Sequence, residues 1–219
     1  MKKVASTTPE QQLSEAIAEL RTGDALTQNE AVKQLIQLGT AAVTELLNEI
    51  KKPEANHQQV MYALSQIADS KATEAFKGGL NHIDQYVRAY AAQGLTHINH
   101  PSAMNACLNT INDAASEAHL DITPSVSALA DMKLQVVPEL LKLMMHHDEM
   151  TRLHAQRVLE QLLNKSHGFI HGRGFASQED GDKAQAEWQD NGNYDYAADE
   201  ATRAAAIAKW QQWLESVEE

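Results

Sequence analysis

The chain has 219 residues, enough for one ordinary domain or a short array of repeats. Its 18 Lys and Arg stand against 30 Asp and Glu, giving a formal net charge of −12 at pH 7, which argues against a nucleic-acid backbone as the main partner. Ala and Leu dominate an apolar fraction of 43%, and aromatic residues make up only 5%, so an all-β fold is disfavoured, while the single Cys excludes an internal disulfide framework.

The sequence offers no membrane signal. No stretch approaches the ~20 consecutive apolar residues that a membrane-spanning helix requires. Two lysines at positions 2 and 3 precede no apolar core of the kind found in a signal peptide. We therefore expect a cytoplasmic protein that does not contact a membrane.

Helical periodicity begins near the N-terminus and continues in short helices with short joints. Thr8-Pro9-Glu10-Gln11 predicts a helix start, with a hydroxyl N-cap, a proline in the first turn and a Gln three residues after the cap. Thr27-Gln28-Asn29-Glu30 predicts a second capping box, and Gly39 predicts the end of that helix. The chain is thus predicted to form helical hairpins.

The second helices of these hairpins resemble one another. The pattern Ala42-Val43-x-x-Leu46-Leu47-x-x-Ile50 recurs at 103–111 and 136–144, with a weaker copy at 72–80. The steps between the copies are 30, 31 and 33 residues when they are anchored on Val43, Thr73, Met104 and Val137. A two-helix period near 30 predicts a stack, because one hairpin cannot bury its own apolar face.

The first helices also match. Val87-Arg88-x-x-Ala91-Ala92-x-x-Leu95 aligns with Thr151-Arg152-x-x-Ala155-x-x-Val158-Leu159. The combined pattern, V-R-x-x-A-A-x-x-L followed by A-V-x-x-L-L-x-x-I, resembles the HEAT-repeat family, particularly the short bacterial form first noted in bilin lyases. Pro138 also suits that family, which often carries proline in the first turn of the second helix.

The resemblance covers residues 9–165 and carries a specific expectation about the fold. It implies an all-α protein, a right-handed α-solenoid of about five HEAT-like helical hairpins. The first helix of the fourth hairpin, which opens Asp121-Ile122-Thr123-Pro124, matches the pattern poorly. The resemblance implies no single function, since HEAT arrays serve many tasks.

Residues 166–219 are predicted to form a second region, an acidic loop that contains glycine followed by a tryptophan-bearing helix packed on the last repeat. The segment 166–197 holds five of the ten glycines and is predicted to be irregular. A helix is predicted from about Asp199, with Trp210 and Trp213 on one side. The region has 11 Asp and Glu against four Lys and Arg, so it carries −7 of the total charge.

This tail resembles endings of bacterial HEAT-repeat proteins in which a G-x-Y-D loop leads into an R-x-x-A-I-x-x-W-x-x-W helix. The matching residues of this chain are Tyr194, Asp195, Arg203, Trp210 and Trp213. We expect the tail to be a structural cap on the last repeat. The alternative is a docking element whose acidic surface meets a basic partner.

The most favoured functional interpretation is a non-catalytic scaffold or adaptor. A protein partner would bind a preformed groove with side chains from successive second helices. Because aromatic and Arg side chains dominate interfaces, the candidate partner-binding residues are Tyr62, Tyr86, Tyr90, Arg88 and Arg152. In the family pattern such an Arg also serves as an ion-pair partner between repeats. We predict no catalytic residue and no cofactor.

Two alternatives remain open from the sequence. The likeness to bilin lyases suggests an accessory, lyase- or chaperone-like protein for chromophore or cofactor attachment, which would bind a small molecule in the same groove. A cluster of histidines suggests a metal-binding module around His147 and His171, with His146, His154 and His167 nearby. Surface histidines are the simpler explanation, so we assign no metal ligand.

Overall fold

A computed structural model describes residues 8–115 and 121–218 of the chain, so the two N-terminal lysines lie outside the described residues. Within these ranges the regular structure is helical and no β-strand forms. The prediction of an all-α protein is confirmed. The chain divides into two compact units at Ala106 and Cys107.

In its described residues, 8–106, the first unit contains six complete α-helices and the start of a seventh that crosses the boundary between the units. In chain order they are α1 (Pro9–Thr22), α2 (Ala25–Leu38), α3 (Val43–Glu49), α4 (His57–Ile67), α5 (Thr73–Gly79), α6 (Gln85–His97) and α7 (Ala103–Asn109). Helix α2 packs against both α1 and α4, and α4 packs against α6. Helices α2, α4 and α6 therefore form a continuous row.

The second unit is described in two stretches, 107–115 and 121–218. Its remaining helices are α8 (Pro124–Ala130), α9 (Val137–Leu143), α10 (Glu149–Ser166), α11 (Gln178–Asp190) and α12 (Glu200–Glu218). Helix α10 packs against α8, α9 and α11, and α12 packs against α9. The long helix α10 is thus the centre of this unit.

Capping residues explain where the first helices begin. Thr8 and Gln11 form the predicted reciprocal capping box at the start of α1, with Thr8 N donating to Gln11 Oε1 at 3.0 Å. The second predicted box is wrong: α2 begins at Ala25 because Asp24 is its N-cap and accepts from Thr27 N at 2.8 Å. The carboxylate of Asp24 satisfies the free amide of Thr27, so the helix begins before the predicted box and Thr27 lies inside it. Gly39 ends α2 as predicted, with a φ of +58°.

The repeated second helices form where their pattern predicts them. Val43, Thr73 and Val137 each begin an α-helix directly after a short 3₁₀ turn, and Met104 lies in the first turn of α7. Pro138 occupies the first turn of α9, where its missing N–H removes no hydrogen bond. The same local sequence therefore produces the same turn and helix in both units.

Small residues allow close helix packing in the first unit. Ala63 of α4 and Ala91 and Ala92 of α6 have no exposed surface. At Gly94 of α6, an added Cβ would overlap the ring of Phe76 in α5. The absence of a side chain at position 94 is therefore what lets the Phe76 ring lie directly on the backbone of α6.

One prediction about the tail is wrong. The segment 166–197 is not irregular throughout, because α11 occupies thirteen of its residues. Ser177 caps this helix by accepting from Asp180 N at 3.2 Å, and Glu179 and Asp180 lie in its first turn, where they complement the helix dipole. The acidic run at 179–182 is thus helical. The last helix begins as predicted, with Asp199 Oδ1 accepting from Thr202 N at 3.0 Å.

Among the described residues, no helix combines the length and the hydropathy needed to cross a bilayer.

Candidate functional site

The three tyrosines selected from the sequence meet on the row formed by α4 and α6. Tyr62 lies on α4, and its ring centroid is 5.0 Å from that of Tyr90 on α6. Tyr86, one turn before Tyr90, lies 6.5 Å from it between ring centroids. All three are partly exposed, so each combines packing against its neighbours with an accessible edge or face.

Glutamine side chains flank the tyrosines on the same two helices. Gln58 of α4 lies close enough to Tyr90 to interact with its hydroxyl. Two turns further along α4, Gln66 donates from Nε2 to Gln93 Oε1 of α6 at 3.2 Å. Burial raises the pKa of Tyr90, so its hydroxyl stays neutral and available as donor and acceptor. The residues Gln58, Tyr62, Gln66, Tyr86, Tyr90 and Gln93 are called the Tyr/Gln surface below.

The Tyr/Gln surface lies on helices that are almost free of charge. Helix α4, HQQVMYALSQI, contains no Asp, Glu, Lys or Arg. Helix α6, QYVRAYAAQGLTH, contains a single one, Arg88. In the whole chain these four residue types make up 22%. The surface is therefore neutral within a strongly acidic protein.

Arg88 is turned toward its own hairpin. Its Nη1 donates to the backbone carbonyls of His82 and Ile83, both at 2.9 Å. Asp84 caps α6 by accepting from Tyr86 N at 2.7 Å, and the amide of Asp84 donates to His82 Nδ1 at 3.0 Å. Arg88 thus fastens the turn that leads into α6.

Arg152 occupies the equivalent place in the second unit. Its Nη1 donates to the carbonyls of His146 and His147, both at 2.9 Å, and Asp148 caps α10 and donates from its amide to His146 Nδ1 at 3.1 Å. Arg152 is only 8% exposed, and its Nε also donates to Tyr196 O in the tail at 2.8 Å. Residues 82–88 and 146–152 thus form the same hydrogen-bonded turn, which is called the joint below. Its sequence signal, His-x-Asp-x-x-x-Arg, was present in the sequence but was missed.

The other tail residues selected from the sequence make contacts within the second unit. Tyr194 is 2% exposed, and its hydroxyl donates to Met144 O at the end of α9 at 2.5 Å. Burial raises the pKa of Tyr194 to about 12. Asp195 is exposed and accepts from Ala197 N, and Arg203 donates to the carbonyl of Ala198. Tyr194 therefore joins the tail to α9, while Asp195 and Arg203 order the turn before α12.

The tryptophans of the tail form a chain of ring contacts. Trp210 has no exposed surface and packs against Trp188 of α11 and Trp213 of α12, with centroid distances of 5.2 and 5.1 Å. Trp213 Nε1 donates to Glu187 Oε1 at 2.6 Å, and the other oxygen of Glu187 accepts from His167 at 2.6 Å. The missed helix α11 thus supplies partners to both predicted tryptophans. Its sequence signal was Ser177 with Asp180 three residues later.

A cavity of about 540 Å³ opens beside Trp213 in the second unit. Its volume is in the range of small-ligand sites. It is lined by Ala130, Asp131, Lys133, Leu134, Leu162, Lys165, Ser166, Glu187, Trp213 and Val217. Two carboxylates and two ammonium groups offset each other in this lining, and Lys165 pairs with Asp131 at 2.6 Å. The cavity therefore selects no ligand by charge.

Most histidines of the cluster have partners of their own. His154 contacts Asn112 Oδ1 at 2.7 Å, and His147 lies against the ring of His146 at a centroid distance of 4.2 Å. His171 is exposed. In the part of the chain that the structure describes, no three His, Cys, Asp or Glu side chains converge closely enough to hold a metal ion.

The chain has no significant match to any protein-family model or to any curated protein.

Proposed function

We propose that this protein is a non-catalytic adaptor that binds a protein partner through the Tyr/Gln surface. The observation that carries the proposal is the meeting of Tyr62, Tyr86 and Tyr90 on neighbouring helices in a partly exposed state. Tyr side chains offer a large contact area with a polar tip and are enriched among the residues that dominate binding energy. Ile83 is exposed in the turn that precedes α6, the helix that carries Tyr86 and Tyr90.

The proposal includes the architecture expected from the sequence. About five HEAT-like hairpins would stack as a right-handed α-solenoid in the cytoplasm, capped by residues 166–219. The row of α2, α4 and α6 supports this in the first unit, because each of these helices packs on the next. The proposed partner contacts the first helices of the hairpins, because these carry the tyrosines. The sequence had favoured a groove lined by the second helices.

Site-specific photo-crosslinking in the native host tests the function. A photoreactive phenylalanine analogue replaces Tyr86 in one variant and the exposed Glu74 of α5 in a matched control. We expect a discrete crosslinked protein from position 86 and none from position 74. The further substitution Tyr62→Ala should reduce the yield from position 86 without changing the thermal unfolding midpoint by more than a few degrees. Equal crosslinking from both positions, or none from position 86, would overturn the proposal.

A further inference from the structure

We infer that the partner segment recognised by the Tyr/Gln surface is an uncharged, proline-rich peptide in the polyproline II conformation. This inference rests on the proposed function and narrows the partner to one chemistry. It is argued from the charge, the spacing and the hydrogen-bonding capacity of the residues described above.

Charge is the first argument. A soluble protein normally covers exposed helices with charged side chains, since these favour solubility. Helix α4 carries none, and the one Arg of α6 is committed to the carbonyls of His82 and Ile83. Amides and phenols take the place of charges on the exposed face. An acidic segment would be repelled by the carboxylate of Asp84, which acts on Tyr90. A basic segment would lose its hydration and meet only this one carboxylate, which already accepts from Tyr86 N, so the surface favours an uncharged segment.

Spacing is the second argument. Polyproline II advances about 3.1 Å per residue, so two residues span about 6.2 Å. The rings of Tyr86 and Tyr90 are 6.5 Å apart along α6, and Tyr62 lies beside Tyr90 at 5.0 Å. Prolines two residues apart could thus each contact one ring of the α6 pair. Aromatic-lined surfaces bind proline-rich segments in this way, because the peptide is already ordered before binding.

Hydrogen bonding is the third argument. A polyproline II backbone makes no internal hydrogen bonds, and a proline-rich segment presents carbonyl acceptors with few N–H donors. The surface that binds it must therefore donate. Gln93 uses Oε1 to accept from Gln66, which leaves its Nε2 group as a donor beside the tyrosines. The hydroxyls of the tyrosines are further donors.

Peptide titration of the full-length protein tests this inference. Fluorescein-labelled decaproline and a set of uncharged PxP decapeptides, whose prolines are two residues apart, serve as probes. A labelled Gly-Ser decapeptide is the control for an uncharged but disordered chain. Fluorescence anisotropy should show saturable binding of at least one proline-rich probe and none of the control. Tyr86→Ala should weaken that binding about tenfold or more.

A matched pair of glutamine variants isolates the donor. Gln93→Glu replaces donors with acceptors on the surface, and Gln37→Glu makes the same change at an exposed position of α2. We expect Gln93→Glu to weaken the proline probe about tenfold and Gln37→Glu to leave it unchanged. Circular dichroism confirms that both variants fold.

The outcomes separate this inference from the proposed function. If no proline-rich probe binds more tightly than the Gly-Ser peptide, the inference is overturned, and a crosslink from position 86 would still support an adaptor with another kind of partner. If the probes bind equally well to Tyr86→Ala, the inference is also overturned, because binding then occurs elsewhere. Loss of the crosslink together with loss of probe binding would overturn both.

Discussion

The hydroxyl of Tyr194 donates a 2.5 Å hydrogen bond to the backbone carbonyl of Met144, fifty residues earlier in the chain. Met144 directly follows α9, and carbonyls at the end of a helix have no donor within it. The tyrosine therefore satisfies a carbonyl that would otherwise be buried without a partner. It does so from the loop between α11 and α12, which ties the tail to the helix pair α9 and α10.

Tyr194→Phe should lower the free energy of unfolding by about 1–2 kcal/mol, because the Met144 carbonyl loses its donor. Urea denaturation followed by tryptophan fluorescence measures this loss. The pKa of Tyr194 is raised from 10 to about 12, so the wild-type advantage should be complete below pH 10 and disappear as the pH rises from 10 to 12. Tyr196→Phe is the control, since the Tyr196 hydroxyl donates to no described residue. An equal loss in both variants would contradict the role given to Tyr194.

Glu49 should stabilise the protein at neutral pH, and this contribution should be lost as the solution becomes acidic. It is 2% exposed and accepts from Arg21 Nε at 2.9 Å and from Lys52 at 2.7 Å, and the hydrogen bond from Arg21 is the main cause that lowers its pKa from 4.5 to about 2. Glu49→Gln should cost about 2 kcal/mol at pH 7, because the charge-assisted bonds are lost. The difference from wild type should be complete above pH 4.5 and shrink as the pH falls toward 2.

Chemical denaturation at several pH values between 2 and 7 measures the contribution of Glu49. Glu45→Gln, on the exposed side of the same helix, provides the matched control. If Glu49→Gln lost the same free energy of unfolding at every pH, the prediction would be wrong, because the site would then require the shape of the side chain and not its charge.

Gly94→Ala should destabilise the protein although alanine favours helices. The new methyl group would overlap the Phe76 ring, which has no exposed surface to move toward, so we expect a loss of about 1–3 kcal/mol. Gly78→Ala makes the same chemical change in α5 at a position with open space around it. It should leave stability unchanged or raise it by up to about 1 kcal/mol. Thermal unfolding of the two variants measures both effects. If the close contact at Gly94 were unimportant, the unfolding midpoint would shift in the same direction in both variants.

Features set by neighbouring residues could be predicted from the sequence. The cap at Thr8, the helix that starts at Val43 and the proline turn at Pro138 each depend on a few consecutive residues. Helix α11 was missed because Gly181 lies inside it and suggested a loop, although Ser177 supplies a cap and Ala184 faces the core. A single glycine costs a helix only about 1 kcal/mol, which capping and packing can offset.

The candidate site was predicted as residue types but not as an arrangement. Tyr86 and Tyr90 are one helical turn apart, so their proximity could be read from spacing alone. The approach of Tyr62 to Tyr90 and of Gln66 to Gln93 depends on how α4 packs against α6, which no local pattern specifies. The same is true of Glu187, which accepts from both Trp213 and His167.

The joint formed at 82–88 and again at 146–152 has an evolutionary consequence. The hydrogen bonds from Arg to the two carbonyls, and from the Asp amide to the His ring, close within each short segment. In the second joint Asp148 also accepts from Asn112, and Arg152 also donates to Tyr196. A hairpin that carries the His, Asp and Arg of the joint therefore contains the sequence that forms its own entry turn, wherever in the chain it is inserted. Gene duplication could therefore lengthen or shorten such a chain by whole hairpins, while the residues that face outward on each copy remain free to diverge.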